Sequence, residues 1–187
     1  MDSVATGSRD RTVRARRVTA ILALALGTAV AFGLGVYARV HGATGHAPLT
    51  LGFALPGQMK EWLTRAAIVL ACFQLASGLR INGHIRVPRR IPGWLRTAHR
   101  TSGGLAILLA APVAFDCVSA FGFQATSARI VVHGIAGVLL FGAFAAKVVT
   151  VRRRRRPPWL IPAAGTTLFV TLAVLWLTSI GWPVSIY

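Results

Sequence analysis

The amino-acid sequence predicts an all-α membrane protein, a polytopic bundle of five transmembrane helices. Five apolar spans of about 18 to 22 residues divide the chain, and at a rise of about 1.5 Å per residue each covers the roughly 30 Å hydrocarbon core of a bilayer. The spans are Val18–Val36, Trp62–Leu79, Gly103–Phe123, Ile130–Val149 and Trp159–Ile180. Because the spans contain very few charged residues, a soluble helical bundle, whose helices have a polar face, is excluded.

The basic residues between the spans predict how the chain is oriented. Of the 21 basic residues, 17 lie before span one, between spans two and three, or from the end of span four to the start of span five. Only 4 lie on the opposite side. Lys and Arg in short connections stay in the cytoplasm. We therefore predict a multi-pass protein of the cell membrane with a cytoplasmic N-terminus and with its C-terminus, Trp182–Tyr187, outside. The arginine-rich end of the bundle is called the inner end below, and the opposite end the outer end.

The chain is predicted to have a polar, Arg-rich cytoplasmic tail over residues 1–17 and one transmembrane domain over residues 18–187. The segment Met1–Thr12 is polar enough to be disordered. Val18–Val36 is longer than the apolar region of a signal peptide, which runs about 7 to 15 residues, so the first helix is expected to be retained.

The formal net charge of +17 would indicate nucleic-acid binding in a soluble protein. Here the charge follows the membrane topology, so no nucleic-acid partner is predicted. The run Arg152–Arg156 is expected to attract anionic lipid head groups, at about 1 kcal/mol per cation.

The spans also contain signals for helix packing. Gly27, Gly33 and Gly35 in span one permit close approach of another helix. Gln74 in span two is an amide in apolar surroundings and is expected to form a hydrogen bond with a neighbouring helix. Only Gln124–Arg129 joins spans three and four, which predicts that they form an antiparallel helical hairpin.

Asp116 and His133 are the candidate chemical groups near the outer end. Asp116 is the only acid within a span, and an ionised carboxylate there costs at least about 2.5–3.5 kcal/mol. In a hairpin of spans three and four, His133 would lie close enough to pair with it, with Arg129 as a competing partner. Three interpretations stay open: a structural hydrogen bond, a haem site with His133 as an axial ligand, and a proton or ion relay.

His99 lies just before span three, at the inner end. It is either an ordinary interfacial histidine or, together with His84 in the preceding connection, part of an inner metal or haem site. His99 and His133 lie at opposite ends of the bundle, so they cannot bind the same haem iron. A second histidine for an outer site would have to be His41 or His46.

Several short motifs between Met59 and Arg152 resemble those of a known family. They are Met59-Lys60-Glu61-Trp62-Leu63, Gln74, His99-Arg100-Thr101-Ser102-Gly103, Pro112-Val113-Ala114-Phe115, Phe121-Gly122-Phe123, Val132-His133-Gly134 and Gly142-Ala143-Phe144 followed by Lys147. This segment resembles an actinobacterial family of small five-helix membrane proteins catalogued as a domain of unknown function. That family is loosely similar to membrane b-type cytochromes and ferric-reductase-like bundles.

The resemblance implies that His99 and His133 are haem b ligands at separate sites. Asp116 departs from the pattern, because it stands where the resemblance suggests a histidine. An outer haem with two histidine ligands would then lack one of them.

Three functions follow from these residues. The first is transmembrane electron transfer by haem b, the second a non-enzymatic scaffold or partner subunit for another membrane protein, and the third a proton or ion pathway through Asp116 and His133. The sequence has no nucleotide-binding motif and no nucleophile with a nearby base, so no catalytic residue is assigned. If the protein is an enzyme, it is expected to be a component of a membrane oxidoreductase.

Overall fold

Five helices form the protein, in a computed structural model that describes residues 2–85 and 91–179. They are α1 Asp2–Val40, α2 Pro56–Ile81, α3 Gly93–Phe121, α4 Ala128–Arg152 and α5 Leu160–Ser179. Each contains a stretch long and apolar enough to cross a membrane, and these ranges contain no strand. The predicted all-α fold with five spans is confirmed.

The surface of the bundle is apolar along the helices. Large side chains such as Phe32, Leu108 and Leu177 are 73%, 68% and 60% exposed. A monomeric soluble protein rarely exposes so much contiguous apolar surface, whereas a bilayer solvates it. The chain is therefore an integral, multi-pass membrane protein. Its orientation stays a prediction, and Arg86, Arg89, Arg90 and the segment Trp182–Tyr187, on which that prediction partly rests, lie outside the described residues.

α1 begins earlier than the first apolar span. The helix already starts at Asp2, so it runs through the segment Met1–Thr12 that the sequence predicted to be disordered. Extending an existing helix requires no new nucleus, and the apolar part of α1 provides the nucleus for the polar turns before it.

The packing order of the helices differs from the predicted order. The main interfaces join α1 with α4, α4 with α5, and α2 with α3, and a smaller one joins α2 with α5. α3 and α4 are consecutive along the chain, but they do not form one of these interfaces. The predicted tight hairpin is wrong because α1 occupies one side of α4, and a cavity described below lies between α3 and α4.

Two glycines allow the close contact between α1 and α4. A Cβ atom built on Gly27 would lie 2.8 Å from the carbonyl oxygen of Gly142, and one built on Gly142 would lie 2.6 Å from the carbonyl oxygen of Gly27. Only glycine fits at such a separation, because a backbone oxygen cannot move away as the end of a side chain can. The sequence-based expectation of close approach is met at Gly27. At Gly33 and Gly35 it is not, because a Cβ atom built on either would meet nothing within 4 Å.

The connection between α1 and α2 is tied to the outer end of α3. The backbone N–H of Thr44 donates to the carbonyl of Ser119 at 3.0 Å, and that of Gly45 donates to the carbonyl of Ala120 at 3.1 Å. These bonds satisfy carbonyl groups in the last turn of α3, which have no partner within the helix. The outer connection is therefore part of the packed structure.

Candidate functional site

A cavity of about 480 Å³ lies inside the outer part of the bundle, and all five helices contribute to its wall. Most of the lining is apolar. It includes Leu34 of α1, Ala67 of α2, Val113 of α3, Leu140 and Phe141 of α4, and Leu172 of α5. Binding sites for small molecules in helical bundles have this character, with mostly apolar walls and a few placed polar groups.

His133 is a polar group in the wall of this cavity. Its Nδ1 atom lies 2.8 Å from the hydroxyl oxygen of Thr178 on α5. That hydroxyl also lies 2.7 Å from the carbonyl of Val174 and 3.1 Å from that of Leu175. Where the hydroxyl proton goes to one of these carbonyls, Nδ1 of His133 is the donor and the lone pair of the neutral ring is on Nε2. Where it goes to Nδ1, the ring proton is on Nε2.

Small residues beside His133 leave room in the cavity. A Cβ atom built on Gly137, one turn along α4, would have a single neighbour within 4 Å, the Leu175 side chain at 3.9 Å. Gly134 is different, because its position is filled by the ring of Phe123, 2.9 Å from a built Cβ. The space next to His133 therefore opens on the Gly137 side.

Asp116 is completely buried, with 0% of its surface exposed. Its Oδ1 accepts a hydrogen bond of 3.0 Å from the backbone N–H of Leu49 in the outer connection. Its Oδ2 has no hydrogen-bond partner within the part of the chain that the structure describes. Asp116 thus anchors the outer connection to α3.

The structure does not bring Asp116 and His133 together as a hydrogen-bonded pair. Each has the separate partner given above, and Arg129, the competing partner, donates through Nε to the carbonyl of Thr178 at 2.7 Å. The physical reason is the missing interface between α3 and α4. The outer connection packs on the last turns of α3, whereas the first turns of α4 bind the end of α5.

Lys60 is a cation near Asp116 that sequence reasoning did not connect with it. Both groups lie within electrostatic range of Cys117. The Lys60 ammonium also lies 5.6 Å from the centre of the Phe121 ring, within the range of a cation–π interaction. The outer end therefore holds a cation in the same region as the buried carboxylate of Asp116.

The remaining outer histidines lie away from the cavity lining. The ring of His41 stacks on Tyr37, with centroids 5.1 Å apart. Nδ1 of His46 lies 2.6 Å from the carbonyl oxygen of Thr44 in its own connection. Neither residue joins His133 at one site.

Near the inner end, His99 is held in the same way as His133. Its Nδ1 lies 2.8 Å from the hydroxyl of Ser77 on α2, and that hydroxyl donates to the carbonyl of Phe73 at 2.6 Å. Gln74, also on α2, donates through its amide to the carbonyl of His99 and to the hydroxyl of Ser102, the latter at 2.7 Å. This polar layer joins α2 to α3.

The inner layer is packed without an equivalent opening. Position 103 of α3 lies against the Gln74 side chain, 3.0 Å from a built Cβ, and position 78 of α2 lies 3.5 Å from the His99 ring. His84, the proposed second inner ligand, is exposed in the connection after α2. Within residues 2–85 and 91–179, no group of three or more His, Cys, Asp or Glu residues could hold a metal ion.

A comparison with known families identifies the chain at the level of its family. The model of DUF6529, a family of unknown function, matches residues 19–186. The chain belongs to this family. No curated protein and no solved structure matches it significantly. The family model covers all five helices, so the predicted membership in a family of unknown function is confirmed, whereas the likeness to b-type cytochromes and the actinobacterial origin stay predictions.

Two hydroxyl residues in the candidate sites of this chain were not anticipated from the sequence. Thr178 and Ser77 orient the two histidines, yet each is one of several Ser and Thr residues within apolar spans. Most of those hydroxyls simply donate to the carbonyl four residues earlier, as Thr150 and Thr171 do. No sequence signal separates the two groups, because only the neighbouring helix decides which hydroxyl receives a histidine.

Proposed function

We propose that this membrane protein binds a lipophilic small molecule in the cavity at the outer part of the bundle, with His133 as its polar contact. The observation that carries the proposal is the 480 Å³ apolar cavity with a histidine in its wall. A site that packing alone required would be filled by side chains, since interiors are close-packed. Here the position beside His133 is a glycine, Gly137.

The chemistry of His133 narrows the class of ligand. We take His133 to donate from Nδ1 to Thr178, its neighbour at 2.8 Å, so that the neutral ring accepts through Nε2. A ligand with an apolar body and one hydroxyl or amide donor therefore matches the cavity. Such a molecule would reach the site from the membrane, where lipophilic molecules concentrate.

Haem b, the cofactor predicted from the sequence, stays a prediction. His133 would be its histidine ligand in this cavity, whereas His41 and His46 have their rings elsewhere. A haem with two histidine ligands does not fit the residues that line this cavity. We therefore derive no electron-transfer step, and haem enters the proposal only as one flat, apolar molecule among those that the cavity could hold.

The two other functions have less support. A proton pathway through Asp116 and His133 requires a chain of hydrogen bonds, and the bonds of these two residues lead to different elements. A scaffold role requires a surface for a partner helix. A groove between α1, α4 and α5 has a volume of about 770 Å³, but lipid chains would fill such an apolar groove equally well.

The test is to purify the protein in mild detergent, extract it with organic solvent and identify co-purified small molecules by mass spectrometry. A visible absorption spectrum, recorded before and after dithionite reduction, distinguishes haem from other molecules. We expect one lipophilic compound at a constant ratio to the wild-type protein. Gly137→Leu should remove it by filling the cavity, and His133→Leu should remove it by deleting the polar contact.

Gly33→Leu is the matched control, because a Cβ atom at Gly33 meets nothing within 4 Å and lies outside the cavity lining. This variant should retain the compound. The proposal fails if the wild-type protein carries no such compound, or if Gly137→Leu retains as much of it as the wild type while both proteins remain folded.

A further inference from the structure

Lys147 is a charged side chain on the interior face of a membrane helix. It follows His133 and Leu140 at intervals of seven residues on α4, so the three share one helix face. Leu140 is 2% exposed and belongs to the apolar core. Lys147 lies five residues before the end of α4 at Arg152, about 8 Å along the helix axis.

The ammonium of Lys147 lies within electrostatic range of the His99 ring, which is itself bonded to Ser77 in the inner polar layer. Its surroundings differ from those of Arg152 and the following arginines, which are mostly exposed beyond the helix end. Lys147 is therefore a cation held within the bundle.

No acidic side chain compensates this charge among residues 10–85 and 91–179, whose side chains the structure describes. Glu61 pairs with Arg65 and Asp116 bonds to Leu49, both at the outer end. Asp10, the third acid of these ranges, is exposed on the polar start of α1. Lys147 itself forms no ion pair or hydrogen bond within these ranges. A cation at membrane depth without a counter-charge is costly, by about 2.5–3.5 kcal/mol or more at the helix centre, and such residues usually mark a functional site.

We propose that Lys147 binds one phosphate group at the inner end of the bundle, between α3 and α4. The ammonium supplies up to three hydrogen-bond donors. The exposed Arg100 and Arg152 at the same end raise the local concentration of anions, as clustered basic residues do at a membrane surface. The phosphate group belongs either to an anionic phospholipid or to a free phosphate. This site is separate from the outer cavity and does not depend on its occupant.

The experiment compares wild type, Lys147→Met and Arg11→Met by native mass spectrometry in detergent. Each protein is titrated with phosphatidylglycerol, with phosphatidylcholine, or with inorganic phosphate. Arg11→Met is the matched control, because it removes one positive charge from the same side of the bundle at an exposed position. Arg11 lies about 12 Å along α1 before Thr19, which bonds to the carbonyl of Arg155 at the inner end. We expect the wild type to retain one phosphatidylglycerol in preference to phosphatidylcholine, and Lys147→Met to bind it about fivefold more weakly. Arg11→Met should change binding by less than about twofold, because solvent and salt screen an exposed charge at this distance.

The phosphate titration separates the two sources. Phosphate that displaces the lipid, or binds alone and depends on Lys147, indicates a free anion. Lipid binding that phosphate does not affect indicates a head-group site. Equal retention of the two lipids by the wild type, with no phosphate bound, overturns the proposal without requiring any variant. Equal losses in Lys147→Met and Arg11→Met also overturn it, because the attraction is then a general effect of net charge. Lys147→Arg, which keeps the charge, should bind like the wild type if Lys147→Met does not fold.

Discussion

His133 near the outer end and His99 near the inner end are oriented by the same device. Nδ1 of each lies 2.8 Å from a hydroxyl on a neighbouring helix, Thr178 or Ser77. Each hydroxyl also lies within hydrogen-bond distance of the carbonyl four residues earlier. The hydrogen-bonding arrangement of the two histidines is therefore equivalent.

Their surroundings differ. His133 lines a cavity, and the glycine one turn away leaves space beside it. His99 is packed against α2, because the Gln74 side chain bonds to its carbonyl and Gly78 lies close to its ring. The difference shows that orienting a histidine does not by itself make a binding site. Open volume next to the ring does, and that volume depends on which helices meet.

The largest effect is expected from the α1–α4 contact, where α1 forms part of the wall of the outer cavity and a backbone carbonyl leaves no room for a larger residue at position 27. Gly27→Ala would place a methyl group 2.8 Å from the carbonyl oxygen of Gly142. We expect a loss of about 2 to 3 kcal/mol in stability, measured by thermal unfolding in detergent. Gly33→Ala, on the same helix with open space, should be neutral or stabilising by up to about 1 kcal/mol, since alanine is the better helix former. Equal stability of the two variants would show that α1 is not held at Gly27.

The second effect compares the two hydroxyls directly. Ser77→Ala removes the hydrogen-bond partner of His99 Nδ1. The site is buried, since Ser77 is only 3% exposed. The expected cost is about 1 to 2 kcal/mol in unfolding free energy. Thr178→Val removes the corresponding partner of His133, but Thr178 is only half-buried, so we expect a smaller cost. A larger loss of unfolding free energy in Thr178→Val would mean that the hydrogen bond at the outer site contributes more to stability than the one at the inner site.

The smallest effect tests how tightly the inner layer is packed. A methyl group at Gly103 would lie 3.0 Å from the flexible Gln74 side chain, whereas one at Gly104 would meet nothing within 4 Å. Gly103→Ala should therefore be less stable than Gly104→Ala by about 0.5 to 1.5 kcal/mol, the cost of forcing a side chain away from its preferred rotamer. The same thermal unfolding assay measures the difference, and identical melting temperatures would indicate a loose inner layer.

Several features of the site could be read from the sequence because they depend on one residue and its environment. Asp116 had to be buried with a partner, as a lone acid within an apolar span. His133 and His99 had to lie at opposite ends, because their positions along neighbouring spans place them there. Gly27 could likewise be read as a place where another helix can approach closely, because glycine has no Cβ atom.

The partners of these residues could not be read in the same way. Asp116 and His133 appeared to be neighbours because the connection between their helices is short, yet the acid bonds to the outer connection and the histidine to α5. A short connection limits the distance between helix ends, but it does not compel the helices to pack along their length. Lys147 was counted only as a basic residue of the inner side, although its spacing of seven from Leu140 already placed it on the interior face.

The sequence by itself determined that this chain crosses a membrane five times and which few polar residues lie within the bilayer, because span length and the cost of burying charge depend on composition alone. The tertiary structure decided which helices are neighbours, and with them the hydroxyl that holds each histidine and the open volume beside one of the two. Those features depend on contacts between residues that are distant in the chain, at glycines such as Gly27 and Gly142, where the approach of two backbones sets the positions of all the others.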